Sequence, residues 1–252
     1  MIEFNDVAAL DAALRDRDVA CVITEPVLTN SCMVSPQPGF HEALRRLTRA
    51  AGTLLLIDET HTVSTSPGGY TRAHGLEPDI FVLGKPIAGG VPAAVWAFTD
   101  AVATGLERVR SAMAPGHSGM GTTLSGSALA LAAIRATLTD LMTDAAYAHM
   151  DRLACRLSEG LEGVIASRRL PWHVVRIGAR AELICARGPL RNGAEAEAAH
   201  APAVERALHL ALLNRGSLIA PFHNMMLTCP ATASEQVDGL VAAFDEIAGM
   251  LS

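Results

Sequence analysis

Short apolar runs in the N-terminal part of the chain place the strongest limit on its fold. The runs and the residues that end them are Val19–Thr24 at Glu25, Leu54–Ile57 at Asp58, Ile80–Leu83 at Gly84-Lys85, and Ala93–Phe98 after a glycine-rich turn. Apolar residues recur at helical spacing in residues 39–51, between the first two runs. Because strand, helix and strand in this order favour parallel pairing, the pattern predicts an α/β fold with a mostly parallel sheet.

Long helices are predicted over 124–138 and 145–166. After about residue 167 the pattern changes, with strands predicted over 172–177, 181–186, 217–219 and 225–228 and helices over 194–213 and 234–251. These shorter, mixed elements predict a smaller α+β unit. We therefore divide the chain into residues 1–145, as part of a large domain, and residues 146–252, as a small C-terminal domain.

Composition excludes several classes of protein. The net charge of −6, without a long basic run, disfavours nucleic acid and anionic membranes as partners. The apolar stretch 80–98 contains a lysine, glycines and prolines, which disfavours a membrane helix. The 5 cysteines are odd in number and scattered, as is typical of reduced thiols. With no signal peptide pattern at the start, we expect a cytoplasmic protein.

Lys85 is the single lysine among 20 Lys and Arg residues. An amine can lose its proton and attack a carbonyl, whereas a guanidinium stays protonated. Lys85 is therefore the one candidate for Schiff-base chemistry, and the alternative is an arginine-rich composition with one surface lysine. Asp58 follows four apolar residues, where a carboxylate is costly unless it meets a cation such as a protonated ring nitrogen. Its alternative role is to cap the next turn.

A nucleotide-binding site is a competing interpretation of the same strand. Asp58-Glu59-Thr60-His61 has the D-E-x-H form seen in helicases. That function requires an upstream phosphate-binding loop with a Gly-Lys pair. The only Gly-Lys pair lies downstream and precedes Pro86, so we reject this interpretation.

Several short motifs follow one another in a fixed order along the chain: Glu25-Pro26, Pro38-Gly39-Phe40, Leu55–Glu59, Pro78-Asp79, Gly84-Lys85, Gly89-Gly90-Val91-Pro92 and Thr123-Leu124-Ser125-Gly126. In this order they resemble the class III aminotransferases, and within them the glutamate-1-semialdehyde aminomutases. The resemblance implies a fold type I transferase dependent on pyridoxal 5′-phosphate, with an incomplete large domain and a small α+β domain. Its substrate would be a small amino acid or a keto or aldehyde compound.

The resemblance also implies a role for individual residues. Lys85 would form the Schiff base with the cofactor and carry the proton during amino-group transfer. Asp58 would pair with the pyridinium nitrogen, and Thr123 would bind the cofactor phosphate of the neighbouring subunit in a homodimer. Glu25 and Asn30 would lie near the substrate or the lysine turn.

The chain departs from the family pattern at Thr60, Thr122 and Ser127 and in length. Thr60 stands where the family places an apolar residue against the cofactor ring, and His61 follows it. His61 either contacts the cofactor or substrate or is an ordinary hydrogen-bonded histidine, and we favour the second interpretation. Members of the family are longer and carry an N-terminal phosphate-binding part. The chain is therefore either an enzyme portion that works with a separate N-terminal half, or a truncated paralogue that folds or dimerises without turnover.

Overall fold

The structure is a computed structural model and describes residues 1–114, 121, 124–221 and 224–251. The N-terminal sheet contains β1 (Cys21–Thr24), β2 (Leu54–Asp58), β3 (Ile80–Leu83) and β4 (Val95–Phe98), in that spatial order. β1, β2 and β3 pair in parallel, and β4 joins β3 antiparallel. The mostly parallel α/β sheet predicted from the apolar runs is confirmed.

Several helices accompany the N-terminal sheet. They are α1 (Val7–Leu14), α2 (Phe40–Ala51), α3 (Gly69–Ala73), α4 (Asp100–Ser111) and α5 (Ala128–Ala136), which continues into one π-helical turn, Thr137–Leu141. α2 lies between Gly39 and Gly52, both with positive φ, and buries Phe40, Leu44 and Thr48 at a spacing of one helical turn. The sequence analysis missed α4, a helix that buries none of its residues.

The C-terminal part joins a small sheet to long helices. After α6 (Asp144–Arg168), strands β5 (His173–Ile177), β6 (Arg180–Ile184) and β7 (Met225–Leu227) form an antiparallel sheet in that order. The helices α7 (Gly193–Ala199), α8 (Pro202–Leu213) and α9 (Ser234–Leu251) complete this part. A boundary at residues 145/146 stays a prediction.

Two predicted elements were wrong. The helix expected over 194–213 is two helices, α7 and α8, because Pro202 has no backbone N–H and starts a new helix at its first turn. The strand expected over 217–219 is absent from this described stretch. Ala220 N–H donates to Met225 O at 3.1 Å, and a single bond of this kind does not make a strand ladder.

Strand β6 connects the two parts because its side chains alternate between two faces. Ala181 and Leu183 belong to the apolar cluster formed with α6, α8 and α9. Ile184 instead belongs to the cluster formed with α1, α2 and β2. Arg180 and Glu182 share the side of Ile184, so the fold places these two buried charged residues toward the N-terminal sheet.

The turn between β5 and β6 packs directly on the segment that follows β2. Ala179 N–H donates to Ser64 O at 3.3 Å, and Tyr147 Oη on α6 donates to Val63 O at 2.8 Å. These bonds fix the position of residues 62–65 against the C-terminal part.

Among the described residues, no helix has the length and apolar character needed to cross a bilayer.

Candidate active site

Asp58 and Lys85 lie at the same edge of the sheet because β2 and β3 are parallel neighbours. Asp58 is in register with Val82, three residues before Lys85. The Asp58 side chain is half-buried, and its Oδ1 accepts the N–H of Thr60 at 2.9 Å. Parallel pairing therefore brings together the anion and the amine that the sequence analysis selected.

Lys85 has an unusual backbone conformation. Its φ is +50°, in the left-handed region that non-glycine residues seldom occupy, and it begins a short 3₁₀ turn that ends at Ala88. Such conformations carry a cost and are concentrated at functional sites. The Lys85 side chain is exposed, and Thr60 packs beside the preceding Gly84, since a Cβ on Gly84 would lie 3.6 Å from Thr60 Oγ1.

A row of side chains leads from Lys85 back to Glu25. Lys85 Nζ contacts His61 Nε2, and the other ring nitrogen, Nδ1, lies 2.5 Å from Thr29 Oγ1. Thr29 Oγ1 donates to Glu25 Oε2, and Thr29 N–H donates to the same oxygen at 3.3 Å. His61 is therefore bonded on both ring nitrogens, and one of its partners is the candidate catalytic amine.

The electrostatic environment keeps His61 neutral. Burial lowers its pKa to about 4, and the positive charges of Arg180 and Lys85 act in the same direction, against the charge of Asp58. Burial also raises the pKa of Glu25, although the hydrogen bonds from Thr29 oppose this effect. At neutral pH the imidazole of His61 therefore has one N–H and one lone pair.

Arg180 brings a buried positive charge to this region from the C-terminal part. It is only 6% exposed, and its Nε has no hydrogen-bond partner among the described residues. Its Nη1 contacts Met225 Sδ on β7. Burial lowers the pKa of Arg180, while the charges of Glu182 and Glu25 raise it. Arg180 is thus near enough to Glu25 and His61 to affect the charge of both.

Glu59 holds the loop after β2 in place. Its side chain is fully buried, its Oε2 accepts Thr62 Oγ1 at 2.5 Å and Tyr70 N–H at 3.2 Å, and its Oε1 accepts Thr71 N–H. The helix dipole favours a carboxylate that accepts hydrogen bonds from the first N–H groups of α3. This buried anchor fixes the loop that carries His61.

The structure brings most of the predicted site residues together. Asp58, Thr60, His61 and Lys85 lie at one edge of the sheet, and Thr123 lies outside the described residues. Sequence reasoning missed Thr29, Glu59 and Arg180. Thr29 lies four residues after Glu25 and next to Asn30, the two residues that the sequence analysis named in this region, whereas no local pattern marks Arg180. Within the described part of the chain, no group of three metal-binding side chains is found.

Comparison with known proteins identifies the family. The sequence profile described as "Aminotransferase class-III" matches residues 3–247. The chain belongs to this family. A glutamate-1-semialdehyde 2,1-aminomutase from Sorangium cellulosum (strain So ce56) is 34% identical over 249 residues, which is 97% of this chain and 55% of the relative. The resemblance inferred from the motifs is confirmed.

Solved structures confirm the fold. A glutamate-1-semialdehyde-aminomutase from Pseudomonas aeruginosa PAO1 is 52% identical, with a TM-score of 0.96 over all of this chain and 56% of the relative. A lysine-to-alanine variant of a glutamate-1-semialdehyde-aminomutase from the same organism, in complex with PMP, is 51% identical. A β-phenylalanine aminotransferase from Variovorax paradoxus shares the fold at 24% identity and a TM-score of 0.81. The class III chain described here spans about half the length of these relatives.

Proposed function

We propose that this class III chain carries the covalent half of a pyridoxal-phosphate site and takes part in a transaminase or aminomutase reaction. The observation that carries the proposal is the placement of the single lysine. Its amine lies at the same sheet edge as Asp58 and in contact with neutral His61. A PMP complex of a relative that is 51% identical supports this choice of cofactor.

The residues at the sheet edge fit this cofactor chemically. Pyridoxal phosphate offers an aldehyde to an amine and a ring nitrogen to an anion, and it stabilises negative charge on the substrate carbon when bound. Lys85 supplies an exposed amine, and Asp58 supplies a half-buried carboxylate on the neighbouring strand. Thr60 and His61 would line the site between them, and Thr123 would reach the phosphate of the neighbouring subunit in a homodimer.

Each residue would have a separate task in the reaction. Lys85 would hold the cofactor through its amine, and once the amine of the substrate has displaced it, the freed amine of Lys85 would move a proton. Asp58, already oriented by the N–H of Thr60, would hold a proton on the ring nitrogen through its charge. His61 would orient the amine, and the substrate would be a small amino acid or a keto or aldehyde compound.

The free state of all five cysteines supports a cytoplasmic location.

Lys85 allows a direct test of covalent binding. We expect incubation with pyridoxal 5′-phosphate, followed by borohydride, to fix the cofactor on the peptide that contains Lys85, as read by mass spectrometry. The Lys85→Arg variant keeps the positive charge and should lose this label completely, because a guanidinium does not form the bond. The amine of Met1 serves as an internal control for nonspecific labelling. Folded wild-type protein that gains label only at Met1 would contradict the proposal.

Exposed apolar side chains favour a second candidate, in which the chain acts only with a separate N-terminal half. The large apolar residues Ile23, Trp96, Phe98, Leu129 and Leu131 are between 37% and 70% exposed. β1 and β4 form the two edges of the N-terminal sheet among the described residues. Exposed apolar surface and open strand edges are typical of an unfilled interface.

Adding the missing part of a relative would separate an enzyme portion from a truncated paralogue. We expect a polypeptide covering the N-terminal part of the Pseudomonas aeruginosa enzyme, which this chain does not match, to bind the chain and increase Lys85 labelling. Amino-group transfer by the complex would support the enzyme. A stable complex that takes up cofactor without turnover would support the non-catalytic paralogue.

A further inference from the structure

The hydrogen bonds on His61 determine which of its ring nitrogens carries the proton. A carboxylate can only accept hydrogen bonds. Thr29 therefore donates its single hydroxyl hydrogen to Glu25 Oε2. Thr29 Oγ1 can then only accept from His61 Nδ1, which lies 2.5 Å away. This places the imidazole hydrogen on Nδ1 and leaves a lone pair on Nε2.

Lys85 faces the nitrogen that has the lone pair. An amine or ammonium group has N–H donors in either protonation state, and His61 Nε2 contacts Lys85 Nζ. We infer that Glu25 and Thr29 are positioning residues that fix His61 in its Nδ1–H tautomer, so that Nε2 accepts an N–H of Lys85 and holds the amine in place. This inference rests on the proposed function only for the use of the amine, since the tautomer itself requires no cofactor.

The charged groups around the ring are consistent with a neutral acceptor. Arg180 on β6 and Lys85 after β3 disfavour a proton on His61, while Asp58 at the end of β2 favours it. Glu25, after β1, has its Oε2 3.8 Å from His61 Nδ1. The hydroxyl of Thr29 lies in contact with both groups, so it sets the direction of the hydrogen bonds between them. The hydrogen-bond partner of one histidine ring nitrogen determines which of the two nitrogens carries the proton.

Nitrogen NMR on protein labelled with ¹⁵N-histidine tests the inference without cofactor. We expect His61 of the wild-type protein to be protonated on Nδ1, with its signals assigned by their loss in His61→Phe. Thr29→Ser keeps the hydroxyl and should leave this tautomer unchanged. Thr29→Val has nearly the same shape without the hydroxyl and should shift His61 toward the Nε2–H tautomer. An Nε2–H tautomer in the wild type, or no change in Thr29→Val, would overturn the inference.

The reactivity of the lone lysine gives a second readout. At one fixed pH near 7.5, we expect acetylation of Lys85 by an N-hydroxysuccinimide ester to be about fivefold faster in Thr29→Val than in the wild type, because the amine loses its acceptor. Thr29→Ser should react at the wild-type rate. Thermal unfolding of each variant shows that it is folded, and Thr29→Ala replaces Thr29→Val if the latter is not.

These measurements separate this inference from the proposed function. Equal acetylation rates in folded Thr29→Val and wild-type protein would overturn the positioning role of Thr29. A fixed Nδ1–H tautomer together with an absence of cofactor label on Lys85 would instead support the arrangement and contradict the cofactor proposal.

Discussion

Replacing Gly178 with alanine is expected to destabilise the protein by roughly 2–4 kcal/mol, the range typical of overpacking combined with a strained backbone. The new methyl group would lie 2.7 Å from the carbonyl carbon of Thr65 and closer still to its Cα and O. These are backbone atoms, so no side-chain rotation can relieve the overlap. Gly178 also has a φ of +54°, which disfavours alanine independently of its neighbours. Urea unfolding of the wild type and the variant measures the difference.

Two other glycines separate the overlap from the backbone effect. Gly75 has a φ of +61° but no heavy atom within 4 Å of an added Cβ, so Gly75→Ala should cost only about 1 kcal/mol. Gly163 lies within α6 with open space around it, so Gly163→Ala should stabilise by roughly 0.5–1 kcal/mol. If Gly178→Ala lowers the free energy of unfolding no more than Gly75→Ala does, the result would contradict close packing of the β5–β6 turn against Thr65.

Replacing Glu182 with glutamine is expected to stabilise the protein at high pH and to have no effect at low pH. Burial raises the pKa of Glu182 to about 8, and the charge of Arg180 offsets this only in part. The folded protein therefore keeps the Glu182 proton between about pH 4.5 and 8, whereas the unfolded chain releases it. Glutamine resembles the protonated acid and does not ionise, so the variant avoids this loss of stability.

The sign of the Glu182 effect follows from the raised pKa. The stability associated with the protonated side chain is fully present below pH 4.5 and is lost as the pH rises to about 8. We expect the free energies of unfolding to agree at pH 4 and to differ by roughly 2–3 kcal/mol in favour of Glu182→Gln at pH 8, given ~1.4 kcal/mol per pKa unit and some relaxation around the charge. Glu162→Gln, at an exposed position of α6, controls for general effects of charge.

The opposite result would identify a stabilising ion pair. If the wild type is the more stable protein at pH 8, the charge of Glu182 is compensated by Arg180 in the folded state. Arg180 would then be neutralised from within the C-terminal sheet, and its influence on His61 would be weaker than the structure indicates.

The sequence predicted the N-terminal sheet well because each strand is a short apolar run with a clear end. The bounds of the strands Leu54–Asp58 and Ile80–Leu83 were predicted to within one residue, and the parallel pairing of these strands placed Asp58 near Lys85. Prediction failed where an element depends on more than its own pattern. Pro202 divides a segment of otherwise continuous helical character, and no strand among the described residues pairs with residues 217–219.

The partners of the reactive groups were harder to predict. Thr29 and His61 are separated by 32 positions and meet through adjacent strand ends. Arg180 comes from a different sheet and reaches the site because Gly178 permits the β5–β6 turn to pack against Thr65. No periodicity or motif in one of these segments predicts that it packs against the other.

The sequence by itself thus determined the fold class, the family pattern and the two groups able to carry the chemistry, Asp58 and Lys85. These depend on apolar periodicity and on residue type, which are properties of consecutive residues. Only the tertiary structure decided that His61 contacts Lys85, that Thr29 and Glu25 fix its tautomer, and that burial, together with the charge of Arg180, keeps it neutral. Hydrogen bonds and charges act through space, so their partners are known only once distant segments have packed together.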